Sequence, residues 1–215
     1  MKKLASLFAV FLLIPLFTVA SESGDRDIPA EVAQLTDSLK KQFAPDRRVA
    51  LLDVDYSFSD KNVMLRGVTT SAEAKNALLK ELARKGYAVM DCLELLPDVK
   101  GLEGKTCGII NVSVANMRVA PDFSSEMMTQ SLMGMPVRVL QRDGWVRIQT
   151  PDNYIAWVHR VGVHPVTEEE MSAWNKAEKI VVTAHYGFVY SEPNQTTQTV
   201  SDVVAGNRLK WEGSK

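Results

Sequence analysis

The apolar positions of residues 28–100 predict a small α+β domain with the order helix, strand, strand, helix, strand. Residues 49–58 are rich in β-branched and aromatic side chains and predict the first strand. Residues 60–62 indicate a hairpin turn into a short second strand, residues 63–65, which we expect to end at Gly67. The first helix is indicated by apolar residues at helical spacing, namely Ile28, Val32, Leu35, Leu39 and Phe43.

The second half of this domain contains a further helix and strand. Thr70 and Glu73 have the spacing of a capping box, in which two side chains satisfy backbone groups of the first helical turn. Gly86 is placed to end this helix, and residues 87–96 predict a third strand. Residues 97–104 contain one proline and two glycines, so we expect a linker there.

From Thr106 onward the pattern changes to short strands separated by turn residues, which is typical of a small β-sandwich or barrel. Residues 167–177 interrupt the strands and predict a connecting helix, because Thr167 and Glu170 again have capping-box spacing. The predicted strands are residues 109–117, 127–133, 137–140, 145–149 and 155–159.

The all-β half contains an internal repeat. A shift of 72 positions aligns residues 117–140 with residues 189–212 without a gap and superposes Gly134 on Gly206. The first copy continues for two more strands, for which the second has no room before Lys215. A barrel that lacks two strands cannot close, so we expect the sequence to be part of a longer protein. The alternative is a divergent half-repeat that packs on its neighbour.

The expected fold class is therefore α+β, with a small αββαβ domain followed by all-β barrels, the second incomplete. The predicted boundaries are a signal peptide at residues 1–20, a flexible leader at 21–27, the α+β domain at 28–100, the first barrel at 106–166, a connecting helix at 167–178 and the incomplete second barrel at 179–215.

Residues 1–20 have the features of a secretory signal peptide, with Lys2–Lys3 before an apolar run at residues 4–17. A transmembrane anchor is the alternative, but the run is shorter than the ~20 residues of a membrane span. We therefore expect an exported protein of the periplasm or cell envelope. In that oxidising setting Cys92 and Cys107 could form a disulfide or could equally remain two buried thiols.

The composition argues against nucleic-acid binding, because the net charge is −1. The segment Gly104–Thr106 is not a phosphate-binding loop, since Val99 stands where that loop needs a glycine. His159 and His164 lie close in sequence, but no cysteine or carboxylate at ligand spacing accompanies them. We therefore expect neither a metal nor a cofactor.

Residues 63–75, with the sequence VMLRGVTTSAEAK, resemble the BON domain, which has a V-x-L-x-G strand followed by a small-residue turn and a helix. The resemblance implies a non-catalytic envelope module that attaches to a membrane or a partner. The alternative is a generic small α+β domain without such a role.

Residues 112–159 resemble the bacterial SH3-like (SH3b) domain through five elements in the family's order and spacing. Asn153 and Ala156 replace the two glycines of the family's final motif. The matching elements are Asn116–Arg118, Pro121 with Ser124–Ser125, Gly134 with Val137 and Val139, Gly144–Trp145, and Tyr154–Val158.

Two SH3-like domains joined by a helix that begins Thr167–Glu170 resemble the front part of the NlpC-type cell-wall cysteine endopeptidases, in particular the γ-D-glutamyl-L-diamino acid endopeptidases. In that family a papain-like domain follows the second SH3-like domain and cleaves peptidoglycan stem peptides. Its nucleophile lies in a D-C-S-G context, of which Asp91–Cys92 matches only two letters. We therefore expect no catalytic residue and no enzymatic activity in this chain.

The resemblance implies a binding or positioning role, with peptidoglycan or its stem peptides as partner and a downstream catalytic domain as a further one. Arg118, Trp145, Tyr154 and Trp157 occupy family motif positions and are either ligand contacts or core residues. Aromatic faces beside an arginine suit amide-rich peptides that carry carboxylates. The alternative is a stand-alone envelope adaptor that binds peptidoglycan, a partner protein or, through the BON-like domain, lipid.

Overall fold

The N-terminal unit, residues 29–95, has the predicted order of helices and strands. The structure, a computed structural model, describes residues 29–213, so the predicted signal peptide, the leader and Ile28 lie outside the described residues. The middle strand pairs antiparallel with the first and parallel with the third. The elements are α1 (Ala30–Phe43), β1 (Leu52–Ser59), β2 (Asn62–Thr69), α2 (Ala72–Arg84) and β3 (Ala88–Leu95).

The two helices of this unit bury their apolar stripes against the sheet. Val32 of α1, Leu78 and Leu82 of α2 and Leu65 of β2 are fully buried in one cluster. Burial of each such side chain contributes about 1.5–3 kcal/mol. The apolar residues at helical spacing and those that alternate along the strands therefore pack in one core.

Two local predictions in this unit are wrong. Strand β2 does not end at Gly67 but continues to Thr69, which still pairs with Leu52 of β1 and Leu95 of β3. Thr70 and Glu73 do not form a capping box, since the Thr70 hydroxyl instead accepts a hydrogen bond from the Leu51 backbone N–H at 3.0 Å. The helix is capped by Ser71, whose hydroxyl accepts from the Ala74 N–H at 3.0 Å.

The central unit, residues 106–166, is a seven-stranded antiparallel sheet. Fully buried Ile110, Met117, Val139 and Ile148 share one core inside it. Its strands are β4 (Cys107–Ile110), β5 (Val114–Arg118), β6 (Met127–Leu132), β7 (Pro136–Asp143), β8 (Trp145–Gln149), β9 (Ile155–His159) and β10 (Val163–Val166), with a 3₁₀ turn at Arg160–Gly162. Their order across the sheet is β10-β4-β7-β8-β9-β5-β6.

The single strand predicted at residues 109–117 is wrong, because the chain turns a corner there. β4 pairs with β7 and β10, whereas β5 pairs with β6 and β9. At the corner the Asn111 N–H donates to the Gly162 carbonyl at 3.2 Å. This hydrogen bond belongs to neither the β5–β6 pair nor the β5–β9 pair. Apolar alternation continues on both sides of such a corner, so the pattern alone does not reveal it.

The predicted linker at residues 97–104 is not a free connection. Leu102 is 2% exposed and packs in the core of the central unit. The Asp98 N–H also donates to the Leu140 carbonyl at 3.0 Å. The buried Leu102 therefore anchors a segment whose proline and glycines alone predicted a linker.

The N-terminal and central units are joined by a buried seam formed by Leu51, Leu96, Leu140 and Ile155, none of which is more than 4% exposed. Beside the seam, the Ile155 N–H donates to the Arg48 carbonyl at 2.6 Å. The Gln149 side-chain amide donates to the Val49 carbonyl at 3.1 Å. These contacts fix the loop of residues 46–49 against strand β9.

The predicted connecting helix is confirmed as α3 (Glu168–Lys176), with both hydrogen bonds of the Thr167–Glu170 capping box. The C-terminal unit, residues 178–211, follows it as two separate two-stranded sheets, β11–β14 and β12–β13. Its strands are β11 (Lys179–Val181), β12 (Tyr186–Tyr190), β13 (Thr199–Val204) and β14 (Arg208–Lys210).

The shift of 72 positions holds in the structure residue for residue. Strands β12 and β13 have the bounds of β5 and β6 moved by 72, and the bulge at Met117/Arg118 recurs at Val189/Tyr190. The β11–β14 register repeats that of β4–β7. The described part of this second copy has counterparts of β4 to β7 and none of β8 and β9.

The central and C-terminal units meet at a tight backbone contact. A Cβ added at Gly134, whose φ is +80°, would lie 2.2 Å from the Arg208 carbonyl oxygen. The Arg208 N–H donates to the Met133 carbonyl at 2.9 Å. Asn207 is fully buried and its side-chain amide donates to the Ser113 carbonyl at 2.8 Å.

We expect Gly134→Ala to destabilise the protein more than Gly144→Ala. Both glycines have positive φ, which costs a residue with a Cβ about 1–2 kcal/mol. Only Gly134 also faces a backbone atom, whereas nothing lies within 4 Å of a Cβ at Gly144. Thermal unfolding should show a melting temperature lower by about 5 °C for the Gly134 variant than for the Gly144 variant. Equal melting temperatures would contradict the close contact.

Candidate ligand-binding cleft

A cleft of about 380 Å³ lies between the N-terminal and central units. The loop of residues 46–48 forms one wall, and β8 and β9 form the other with Arg147, Tyr154 and Trp157. Val119, Glu126 and Met128 complete the lining. The cleft depends on the buried seam, because Ile155 belongs to both.

Strand register brings Arg147 and Trp157 together. The two residues are directly opposite in the β8–β9 pair, and the Arg147 guanidinium carbon lies 5.3 Å from the centre of the Trp157 ring. Directly opposed side chains on one face of a sheet are in contact range, and a guanidinium over an indole is attracted by the ring's quadrupole. The alternation of β8 turns Val146 and Ile148 inward and therefore leaves Arg147 on the outer face with Trp157.

Tyr154 enters the cleft from the turn between the same strands. The Thr150 hydroxyl accepts from the Tyr154 N–H at 3.1 Å, and the Thr150 N–H donates to the Tyr154 carbonyl at 3.0 Å. Asn153 adopts a φ of +69° in this turn, a conformation that asparagine tolerates better than most residues with a Cβ. Asn153 thus supplies the backbone shape for which the SH3-like family usually has a glycine.

Arg147 has an unsatisfied donor. Its side chain is only 12% exposed and lies 3.6 Å from the Asp53 carboxylate. Its Nε is buried and has no hydrogen-bond partner among the described residues, and burial of the guanidinium lowers the pKa of Arg147. An unmet buried donor costs about 1–3 kcal/mol. An acceptor in the cleft recovers this loss only if the guanidinium turns, because Nε is buried in the observed conformation.

Arg48 forms the opposite, exposed wall. It donates to the Asp46 carboxylate from Nε and Nη2, at 2.9 and 2.7 Å, and from Nη1 to the Tyr154 hydroxyl at 3.3 Å. The side-chain and backbone hydrogen bonds from Arg48 lower the pKa of Asp46 to about 2. The same ion pair raises the pKa of Arg48. Its neighbour Arg47 is exposed and forms no ion pair with a described residue.

The four predicted site residues have different placements. Tyr154 and Trp157 line the cleft, whereas Arg118 and Trp145 do not. The Arg118 guanidinium instead donates to the Ser125 carbonyl at 2.5 Å and holds the β5–β6 loop. Trp145 packs against Phe123 and His159, with ring centres 4.9 and 5.3 Å away. Arg118 therefore has a structural contact, and Trp145 belongs to a neighbouring aromatic cluster.

The sequence did not indicate Arg147 or the arginines of the 46–48 loop as site residues. Arg147 occupies an outward position of a predicted strand, where an arginine is unremarkable. Its opposition to Trp157 follows from the hairpin register, which the turn at residues 150–154 sets. Loop 46–48 lies about a hundred residues earlier, so only the folded chain brings it to β9.

The two cysteines lie on strands of different sheets. Cys92 is exposed on β3 and Cys107 is half-buried on β4, and both are free thiols. The two thiols are not bonded to each other in this structure, and Cys92 is exposed rather than buried. Burial raises the pKa of Cys107. Within residues 29–213 no three His, Cys, Asp or Glu side chains are grouped to hold a metal.

We expect the Asp46 carboxyl to titrate with a pKa of about 2 rather than its usual value near 3.8. Because the folded pKa is depressed, the Asp46–Arg48 contact is complete above the usual value and is lost as the pH falls through about 2. NMR titration of the Asp46 side-chain carbon measures this midpoint. Arg48→Gln should return it towards 3.8, whereas Tyr154→Phe should leave it near 2; a midpoint near 3.8 in the unmodified chain would contradict the contact.

Residues 117–161 match the family model described as the bacterial dipeptidyl-peptidase SH3 domain. This match covers β6 to β9 and the end of β5, and it includes all the cleft residues of the central unit. A comparison with curated proteins gave no match. None of the helices in the described range is long and apolar enough to cross a bilayer.

Two similar solved structures are NlpC/P60 proteins. One, a novel NlpC/P60 endopeptidase from Photobacterium damselae subsp. piscicida, is 15% identical with a TM-score of 0.42, and the match covers 54% of this chain and 29% of that one. The other, an NlpC/P60 family protein from Bacillus cereus, is 19% identical with a TM-score of 0.41, covering 51% and 48%. The matches thus span less than half the length of these proteins. Residues 117–161 are therefore similar to a bacterial SH3 domain.

Proposed function

We propose that this chain is the exported, non-catalytic part of an NlpC-associated cell-wall protein and that it binds peptidoglycan stem peptides in the cleft between its N-terminal and central units. Arg147 is the observation that carries the proposal. Arg147 lies at the wall of an open cleft, and its buried Nε has no hydrogen-bond partner within residues 29–213. In the proposal the guanidinium turns towards the cleft on binding, and a carbonyl or carboxylate oxygen of the peptide supplies the missing acceptor.

The lining of the cleft fits a short peptide with carboxylates. Trp157 and Tyr154 present aromatic surface for the flat amide groups of the peptide. Arg47 and Arg48 add positive charge on the opposite wall. Stem peptides combine amides with free carboxylates, so both walls find complementary groups in one ligand.

Among the described residues, the cleft lacks the cysteine–histidine pair of a cysteine peptidase. Neither cysteine lines it, and the hydrogen bonds of residues 29–213 include none between a cysteine and a histidine. A cysteine peptidase requires such a pair. The proposed role of the cleft is therefore to hold and orient the peptide.

The proposed location rests on the sequence of residues 1–20, which has the basic and apolar regions of a secretory signal peptide. The similarity of residues 117–161 to a bacterial SH3 domain is consistent with this location. The stand-alone adaptor remains the competing function, and binding experiments with defined ligands distinguish the proposed function from an adaptor that binds a partner protein or lipid.

We expect the chain to bind the tripeptide L-Ala–γ-D-Glu–diaminopimelate. The Arg147→Gln variant should bind it about tenfold more weakly, because a hydrogen bond to a charged group contributes about 1.5–3 kcal/mol. Arg147→Lys should not restore affinity, because lysine lacks the planar fork of donors. Isothermal titration calorimetry measures the dissociation constants. Arg142→Gln is the matched control, since Arg142 is exposed on β7 away from the cleft. Equal affinities of the Arg147 and Arg142 variants would rule out the cleft as the peptide site.

We also expect the exported chain to co-sediment with purified sacculi at low salt and Arg147→Gln to reduce the retained fraction. The charged walls of the cleft predict that retention decreases as salt is added. Sedimentation followed by quantification of the bound chain is the measurement. Absence of retention at low salt, together with binding to a partner protein or to anionic vesicles, would support the adaptor instead.

A further inference from the structure

We propose that a second cleft, at the junction of the central unit, α3 and the C-terminal unit, binds an amphipathic anion with an apolar body and a carboxylate. The cleft measures about 650 Å³ and shares no lining residue with the cleft described above. It is within the volume range of small-molecule sites in proteins. The proposal is independent of the stem-peptide function.

The floor of this junction cleft is apolar. β4 contributes Ile109 and Ile110, and the loop after β6 contributes Met133. α3 and β14 close the sides with Trp174 and Leu209. An apolar ligand body therefore loses contact with water along most of its length, which contributes roughly 25 cal/mol per Å² of buried area.

The rim of the cleft is basic. Arg208, Lys210 and His164 line it from two sides. Arg208 is exposed and has no ion pair among the described residues. Lys210 contacts Glu212 at 3.1 Å, but both side chains are more than half exposed, so this pair is weak. A carboxylate at the mouth of the cleft therefore finds cations that few internal acids neutralise.

Glu170 is the one acidic residue in the lining, and its carboxylate is already engaged. It accepts a hydrogen bond from the Thr167 N–H at 2.8 Å as part of the capping box of α3. Its charge therefore stabilises the helix N-terminus. The cations of β14 lie on the opposite wall and remain available to a ligand.

The walls of the cleft are preformed. The Gly134–Arg208 backbone contact leaves no space for a side chain at the base of the junction. Lys179 lies over the Trp174 ring, with its Nζ 5.1 Å from the ring centre, and also donates to the Ala177 carbonyl at 2.9 Å. A preformed cavity avoids part of the ordering cost of binding.

The occupant follows from these two halves of the lining. A purely apolar molecule would cover the cationic rim without satisfying it, which costs free energy. An inorganic anion would leave the apolar floor in water. Only a ligand that combines both properties complements the whole surface, and octanoate is the simplest probe of this class.

The test compares octanoate with 1-octanol, which has the same apolar body without charge, and with sulfate, which has charge without the body. Isothermal titration calorimetry of the full chain should give the tightest binding for octanoate. The NMR signal of the Trp174 indole should shift on binding. Equal affinity for octanoate and octanol, or binding of sulfate alone, would overturn the proposal.

Two pairs of variants locate the site. Ala173→Phe fills the cleft from α3 and should weaken octanoate binding at least tenfold, whereas Ser172→Phe, at an exposed neighbouring position outside the lining, should not. Arg208→Gln should weaken binding about fivefold, which corresponds to about 1 kcal/mol for an exposed ion pair, and Arg142→Gln should leave it unchanged. Circular dichroism verifies that each variant is folded. Loss of octanoate binding in Arg147→Gln but not in Ala173→Phe would assign the ligand to the first cleft and overturn the proposal.

Discussion

The buried seam of Leu51, Leu96, Leu140 and Ile155 is the interaction on which the arrangement of this protein depends. These side chains come from the N-terminal unit, the segment after it and two strands of the central unit, and none is more than 4% exposed. Burial of four such residues contributes several kcal/mol. It also holds the 46–48 loop against β9, so the first cleft exists because the seam is closed.

Opposite charges then set the shape of that cleft. Asp46 holds the exposed Arg48 in a bidentate contact, and Asp53 lies beside the largely buried Arg147. Each carboxylate positions an arginine. For Arg147 one donor, Nε, still has no hydrogen-bond partner among the described residues. The two walls are thus prepared to accept oxygen atoms from a ligand, which is the physical basis of the peptide-binding proposal.

The internal repeat separates local from tertiary effects, because the same pattern folds in two environments. Met117 and Val139 are fully buried in the central unit, where β8 and β9 cover them. Their counterparts Val189 and Trp211 are half-buried and 39% exposed. The β-bulge and the strand register are nevertheless the same in the two copies. Local sequence therefore sets register, and neighbouring strands set burial.

The sequence by itself determined most of the helices and strands, the repeat, the α3 capping box and the SH3-like segment, because hydrophobic periodicity and turn residues are local signals. It also indicated Tyr154 and Trp157 as site residues through their motif positions. It did not reveal the corner after β4, the burial of Leu102, or the cap at Ser71, since each depends on a contact with a distant segment. Only the tertiary structure decided that Arg147 and loop 46–48 share a cleft and that Arg208 faces α3 across a second one, because packing between units, which leaves no periodic trace in the sequence, creates both.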